Sequence, residues 1–265
     1  MCSASSDQKS QFSGPSTAIC GSDINNIFIR GRNLCDDLMG KISFTQMLLF
    51  HLTGAMPDKR QTIIVDAVLV TIMEHGMTPS VIAARQTYFG APESLQGAVA
   101  AGILGVGSRF AGTSGDCAAL LQRIVDAAPD RQKDEARDIA QEHREAALFV
   151  PGYGHPIHKN GDPRLTRLVE IARQQGVEGK YIGAMFLLGE AIGELAGKPI
   201  VINVSAAMGA VLAEVGIPVE IMRGITIVSR AAGVIGHLLE EMRNPVSQHI
   251  WDTVEATVPY TAPAG

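Results

Sequence analysis

Apolar residues recur every three or four positions along most of this chain, which is the spacing of α-helices that bury one face. The clearest run spans 60–74, where residues are apolar nearly all round, so we predict a buried helix there. Capping residues and glycine or proline breaks bound further periodic runs. These runs predict helices over 43–54, 80–88, 96–110, 114–128, 131–147, 163–174, 180–195, 200–215 and 220–242.

A short strand is predicted only at 27–33, and the tail beyond Pro245 is left unassigned. The pattern therefore predicts an all-α, multi-helix globule of about ten helices. Ser80 is the predicted N-cap of its helix. The run 96–110 is rich in glycine and alanine, which favours close helix packing over the approach of a ligand.

The 265 residues are 46% hydrophobic and 18% charged, enough for one large domain or for a large and a small lobe that share a core. Residues 1–25 are polar and are predicted to be a flexible arm, with no charged start followed by an apolar run as in a signal peptide. Residues 26–265 are predicted to form a single domain.

Composition excludes several classes of function. A net charge of −5 without a Lys/Arg-rich run argues against nucleic-acid binding, and no apolar stretch reaches the roughly 20 residues of a membrane helix. Four cysteines lie far apart, so neither a zinc site nor a disulfide framework is indicated and we expect a reducing, cytoplasmic setting. A small molecule or a protein is the expected partner, and no metal or redox cofactor is indicated.

The densest group of chemically useful residues is the stretch 150–168, VPGYGHPIHKNGDPRLTRL. Its glycines and prolines forbid a regular helix and leave backbone amides free to face a ligand. Its two histidines, His155 and His158, can move protons near neutral pH. Composition alone leaves a surface loop and a ligand-binding loop equally open.

A few polar side chains fall within helices that are predicted to be buried: His75, Asn203, Ser205, Arg230 and His237. Such groups either satisfy one another or gather around a ligand, and pairing is slightly favoured for each one singly. Arg230 is the exception, because no acid lies within one helical turn of it, so we predict that it binds a carboxylate. Arg164 is a second candidate, although Asp162 is an available partner.

Several segments together resemble the citrate synthase superfamily. They are Glu74-His75-Gly76 with Ser80, Pro151-Gly152-Tyr153-Gly154-His155, Asp162-Pro163-Arg164, Asn203-Val204-Ser205, Arg230-Ala231-Ala232-Gly233 and Glu241-Met242-Arg243-Asn244-Pro245. The order is that of the family, and the resemblance covers roughly residues 60–252. The short chain and Gly107-Ser108-Arg109-Phe110 more closely resemble citryl-CoA lyases and the C-terminal module of ATP-citrate lyase.

The resemblance implies a large lobe, a small lobe near 115–215, and a site for an acyl-CoA and a di- or tricarboxylate. It implies that His155 is the acid or base on the ketone or carbinol oxygen, with His75 and Ser205 at the other catalytic positions. It implies carboxylate binding by Arg164, Arg230, Arg85 and Arg243, and a homodimer in which Arg243 reaches the partner's site. It implies CoA binding by Pro151, Gly152, Tyr153, Gly154, His158, Lys159 and Arg109.

Two positions depart from the synthases. Ser108-Arg109 stands where a synthase has the histidine that polarises the thioester carbonyl, and Ser205 stands where the family has its catalytic aspartate. A serine hydroxyl is no useful base near neutral pH, so ordinary citrate synthesis is disfavoured. Three hypotheses remain open, with the first favoured: cleavage of a citryl-CoA-like thioester, a decarboxylative or hydrolytic reaction, and binding without turnover.

Overall fold

A computed structural model of the chain describes residues 14–107, 113–154 and 161–263. Within these ranges it has three short strands, β1 (Cys20–Ser22), β2 (Ile27–Ile29) and β3 (Arg32–Asn33), and a π-helical turn at Leu34–Leu38. The α-helices are α1 (Phe44–Thr53), α2 (Lys59–Ile72), α3 (Pro79–Gly90), α4 (Leu95–Leu104), α5 (Thr113–Asp126), α6 (Gln132–Glu145), α7 (Pro163–Gln174), α8 (Lys180–Ala196), α9 (Val204–Glu214), α10 (Val219–Arg243) and α11 (Ser247–Thr257). The predicted all-α class is confirmed.

The chain divides into two compact units, one ending at Asp58 and one beginning at Lys59. In the first, β1, β2 and β3 form an antiparallel sheet, with β1 inside the stretch predicted to be an arm. Helix α1 follows, and its first turn is fixed by a capping box between Ser43 and Gln46. Gly54 ends the helix in the left-handed conformation that glycine adopts at low cost. The predicted division into a large and a small lobe stays a prediction.

Helix α9 is the most buried helix of the second unit, and it packs against α5, α7 and α8. Its small residues make this possible, because they let neighbouring backbones come close. At Gly209 an added Cβ would lie 2.5 Å from the carbonyl oxygen of Ser114 on α5. Around this contact the core is filled by large apolar side chains: Leu121, Ile124, Ile139, Met185, Leu188, Met208, Leu212 and Met222.

The long helix α10 packs against α2, α3, α4 and α5. Its closest approach is at Gly233, where a Cβ would lie 2.1 Å from the carbonyl oxygen of Met73, just after α2. Gly102 of α4 similarly lies against α3, with a Cβ position 3.0 Å from that of Ala84. Gly102 therefore serves close helix packing, the role that the sequence favoured for this run.

Most helix boundaries differ by a residue or two from the predicted ones, and three differences have a clear local cause. Helix α3 begins at Pro79 with Thr78 as its N-cap, so Ser80 is not the cap; proline has the fixed φ angle that suits a first helical residue. Helix α4 ends at Leu104 because glycine follows at 105 and 107, and glycine disfavours helix. Helix α9 begins at Val204, four residues after its predicted start at position 200. The residues before Asn203 are not helical because they bond to the segment around Gly154.

The unassigned tail contains α11. Its first amides, those of Val246 and Ser247, donate to a carboxylate oxygen of Glu241 on α10, at 3.1 and 2.9 Å. The rings of Trp251 and Phe89 also meet edge to face, with centroids 6.4 Å apart. Across the ranges that the structure describes, none of the helices is long and apolar enough to cross a membrane.

Candidate active site

The glycine-rich segment Pro151–Gly154 is hydrogen-bonded to the residues that precede α9. The amide of Gly154 donates to the carbonyl of Val201 at 2.6 Å, and the amide of Asn203 donates to the carbonyl of Gly152 at 2.9 Å. The Asn203 side chain donates a third bond to the carbonyl of Gly154, at 2.8 Å. Two segments that are about fifty residues apart in the sequence are thereby held side by side.

Gly152 lies against the first turn of α9, and no larger residue fits there. Its φ angle is +88°, and a Cβ would lie 2.7 Å from the Cβ of Ala206. The neighbouring Tyr153 is buried, and its hydroxyl donates to the carbonyl of Met185 at 2.8 Å. Burial raises the pKa of the Tyr153 hydroxyl far above its ordinary value. The Tyr153 side chain is thus part of the core.

Asp162 joins the start of α7 to the start of α9. Its carboxylate accepts from Nε and Nη2 of Arg164, at 2.9 and 2.8 Å, and from the amide of Val204 at 2.9 Å. Burial opposes the charge on Asp162, but these hydrogen bonds outweigh it, and the pKa of the carboxyl lies below its ordinary value. Arg164 is therefore held in place by Asp162 while its side chain remains partly exposed.

Ser205 occupies the first turn of α9. Its amide donates to the side chain of Asn203 at 2.9 Å, and its hydroxyl accepts from the hydroxyl of Thr113 at 3.0 Å. Because a hydroxyl is both donor and acceptor, Ser205 retains a proton of its own to donate. The pair links the start of α5 to the start of α9.

Arg230 lies half-buried on α10. Among the residues that the structure describes, its guanidinium donates no hydrogen bond, which matches the expectation of an unpaired cation. Burial lowers the pKa of Arg230, the negative charge of Glu74 raises it, and the positive charge of Arg164 lowers it. Glu74 and Arg164, which come from two other predicted segments, thus lie within electrostatic range of Arg230. Two arginines with hydrogen-bonding capacity to spare can bind the carboxylates of one small molecule.

The turn after α2 is organised by Glu74. One oxygen of its carboxylate accepts the amides of His75 and Gly76, at 2.7 and 2.6 Å. Burial opposes the charge of Glu74, but a hydrogen bond from His237 and the two amides together lower the pKa of the carboxyl. His75 itself is exposed.

Both terminal nitrogens of the Arg85 guanidinium are bonded to other protein groups. It is 1% exposed and donates to Glu241 at 2.8 Å, to Nδ1 of His237 at 2.8 Å and to Glu240. The predicted role of Arg85 in substrate binding stays a prediction. This cluster was missed from the sequence, although the spacing of Gly233, His237 and Glu241, four residues apart on one face of a packed helix, was a usable signal.

Arg243 lies exposed at the end of α10. Four predicted site residues, Arg109, His155, His158 and Lys159, lie outside the described ranges. Their assigned roles stay predictions.

One pocket borders the glycine-rich segment, and a second borders the residues before α9 to which that segment is bonded. One, of about 400 Å³, is lined by residues that include Val150 and Tyr153. The other, of about 600 Å³, is lined by residues that include Asp162 and Ile202. Both volumes are in the range of small-molecule sites.

Comparison with known proteins decides the family. A family model described as citrate synthase, C-terminal domain, matches residues 24–251. The chain belongs to the citrate synthase family. The resemblance seen in the sequence is therefore confirmed, and Ser205 occupies a position where this family was expected to have aspartate.

Individual members differ in how much of their length they share with the chain. The structure of citryl-CoA lyase from Hydrogenobacter thermophilus is 33% identical, covers 94% of this chain and 95% of its own, and superposes with a TM-score of 0.82. The ATP citrate lyase of Methanothrix soehngenii, in complex with citrate and coenzyme A, is 20% identical and covers 95% of this chain but 42% of its own. Its TM-score of 0.73 shows a shared fold.

A citrate synthase of Synechocystis sp. is 26% identical over 232 residues, which are 83% of this chain and 56% of that protein. The chain spans about half the length of the curated relatives that it matches.

Proposed function

We propose that this protein is an acyl-CoA carbon–carbon lyase. Its substrate would be a citryl-CoA-like 3-hydroxy-3-carboxyacyl-CoA thioester, which it would cleave to an acyl-CoA and a 2-oxo acid, or form in the reverse direction. The observation that carries the proposal is the likeness to the citryl-CoA lyase of Hydrogenobacter thermophilus over nearly the full length of both chains. The ATP citrate lyase of Methanothrix soehngenii and the citrate synthase of Synechocystis sp. share only part of their length with the chain.

In the cleavage direction, His155 would take the proton of the carbinol hydroxyl. The bond between the carbinol carbon and the methylene carbon would then break, leaving a 2-oxo acid and the enolate of the acyl thioester. The enolate carbon would take a proton from water or another donor to give the acyl-CoA. This direction suits Ser205, because it requires no carboxylate to remove a proton from a thioester methyl group.

The carboxylates of the substrate would be bound by Arg164 and Arg230, beside the turn that carries His75. Asp162 supports this role, because it orients Arg164 without consuming all of its N–H groups. The backbone of Pro151–Gly154 would run along the CoA moiety, with Arg109, His158 and Lys159 as further contacts. Arg85 would act on this site indirectly, by donating a hydrogen bond to His237.

Arg243 would complete the site of a second copy, as expected for a homodimer. Support comes from large apolar side chains that are exposed on α10 and α11 near it: Ile235, Leu239, Met242, Trp251 and Val254. Sedimentation equilibrium tests this proposal, and a monomer at micromolar concentration would contradict it.

A second candidate function is binding of an acyl-CoA without carbon–carbon cleavage, or a hydrolytic or decarboxylative reaction. The observation that favours it is the hydroxyl pair of Thr113 and Ser205 where a carboxylate was expected. The carboxylate of Asp162, beside the start of α9, and that of Glu74 already accept several protein hydrogen bonds each, so neither is a ready substitute.

Incubation with citryl-CoA distinguishes these functions. Release of acetyl-CoA and oxaloacetate, measured by chromatography and by coupling oxaloacetate to its reduction, supports the lyase. Free CoA without oxaloacetate indicates hydrolysis, carbon dioxide indicates decarboxylation, and binding by calorimetry without any product indicates a binding protein. His155→Ala should abolish turnover while the far-ultraviolet circular dichroism stays that of the wild type.

A further inference from the structure

One face of α10 holds the end of α2 and the turn after it. Ser229 donates from its hydroxyl to the carbonyl of Leu69 on α2, at 2.5 Å. One turn later, the backbone at Gly233 lies directly against the carbonyl of Met73. One turn later again, His237 contacts Glu74. Because residues four apart lie on the same side of a helix, this one face of α10 fixes the position of the turn that carries His75.

The tautomer of His237 follows from its two neighbours. Nδ1 lies 2.8 Å from Nη2 of Arg85, and Nε2 lies 2.9 Å from Oε1 of Glu74. A guanidinium has only N–H donors, so Nδ1 must be the unprotonated, accepting nitrogen. Nε2 therefore carries the hydrogen and donates it to the carboxylate. Arg85 is itself fixed in this orientation, because it is buried and paired with Glu241.

Glu74 transmits this constraint to the predicted carboxylate site. The oxygen that accepts from His237 also accepts the amides of His75 and Gly76, so the ring and the turn share one acceptor. The same carboxylate is the negative charge that acts on Arg230. A shift of Glu74 would therefore move the His75 turn and change the electrostatic potential at Arg230 together.

We propose that His237 is a positioning residue. In the tautomer imposed by Arg85, the ring of His237 holds the carboxylate of Glu74. Glu74 in turn fixes the position of His75 and the electrostatic potential at Arg230, where a carboxylate would bind. This inference rests on the proposed function, since it concerns the same site. His237 does not itself touch the substrate.

Two substitutions separate the two bonds of the ring. The amide nitrogen of glutamine reaches about as far as Nε2, so His237→Gln keeps a donor for Glu74 and loses the acceptor for Arg85. The amide oxygen of asparagine reaches about as far as Nδ1, so His237→Asn keeps the acceptor for Arg85 and loses the donor for Glu74.

The variant that loses more stability should be the one that loses less function. His237→Gln leaves a buried N–H of Arg85 without its acceptor, so it should have the lower urea midpoint, yet its KM for citryl-CoA should stay within about threefold of the wild type. His237→Asn should be the more stable of the two, yet raise KM by about tenfold or more, the effect of losing one hydrogen bond to a charged group. Glu74→Gln should resemble His237→Asn. If His237 had only a structural role, the variant with the greater loss of stability would also have the higher KM. That result would overturn the proposal.

A readout that does not depend on turnover keeps this test separate from the proposed function. The amide proton and nitrogen chemical shifts of His75 and Gly76 report their bonds to Glu74, and calorimetry with citrate reports the carboxylate site. In His237→Asn both amides should shift and citrate affinity should fall by about tenfold, while His237→Gln stays close to the wild type. Wild-type shifts and wild-type affinity in His237→Asn would contradict the inference. A wild type that binds citrate but cleaves no citryl-CoA would contradict the proposed reaction only.

Discussion

Thr113 donates a 3.0 Å hydrogen bond to the hydroxyl of Ser205, and so joins the first residue of α5 to the first turn of α9. This pair stands where the citrate synthase family was expected to have a carboxylate base. Neither hydroxyl can remove a proton from a thioester methyl group near neutral pH. The geometry is nevertheless suited to a carboxylate, because Thr113 already directs a donor at position 205.

Replacing Ser205 by aspartate should restore the missing base. We expect Ser205→Asp to exchange the methyl protons of acetyl-CoA for deuterium, in the presence of oxaloacetate, about a hundredfold faster than the wild type, since a positioned general base contributes that much or more. Proton NMR in deuterium oxide measures the exchange. Ser205→Asn has nearly the same shape without basicity and should stay at the wild-type rate. Equal rates for the aspartate and asparagine variants would show that position 205 is not where the base acts.

Gly152 should be far less tolerant of substitution than Gly154, although both have a φ angle of +88°. Gly154→Ala incurs backbone strain alone, since no described atom lies within 4 Å of its Cβ position, and should cost about 1 kcal/mol of unfolding free energy. Gly152→Ala adds a collision with Ala206 and should cost about 3 kcal/mol. Urea unfolding measures both. Losses of the same size would mean that the contact with α9 relaxes freely.

Asp162 should contribute stability that is lost in acid. Its pKa is lowered in the folded state, so its contribution is complete above the pKa of the unfolded carboxyl, about 3.9, and disappears as the pH falls through the folded value. Asp162→Asn should therefore be about 2 kcal/mol less stable than the wild type at neutral pH, with a smaller difference near pH 3. Urea unfolding at both pH values measures this.

The exposed pair of Arg167 and Glu170 provides the control for Asp162. Glu170→Gln should change the unfolding free energy by less than about 1 kcal/mol, as is usual for surface ion pairs. If Asp162→Asn were no more costly than Glu170→Gln, Asp162 would not be the link between α7 and α9.

Arg230 should be required for carboxylate binding but not for folding. Arg230→Met removes a half-buried cation that donates no hydrogen bond to the described residues, so stability should stay the same or rise. Citrate affinity, measured by calorimetry, should fall by about tenfold or more, the effect of losing one charge-assisted contact. Arg167→Met, on the exposed side of α7, is the matched control. Citrate binding by Arg230→Met at wild-type strength would exclude Arg230 from the site.

The sequence determined the helical class and most helix positions. Local signals were sufficient for these, because apolar periodicity and breaking residues act within a few positions of one another. Helix α7 was predicted at its exact bounds, since Asp162 and Pro163 mark its start. The isolated cation Arg230 was also visible, because the absence of a neighbouring acid along its helix is a local property.

Only the tertiary structure decided which polar groups pair with one another. Carboxylates on distant elements bond to amides that open other helices: Asp162 for α9 and Glu214 for α8. Arg85 likewise finds its acids about 155 residues away, a pairing that the sequence did not indicate. Amides at helix starts and buried charges need a partner but do not specify its position in the chain, so packing alone settled where each partner came from.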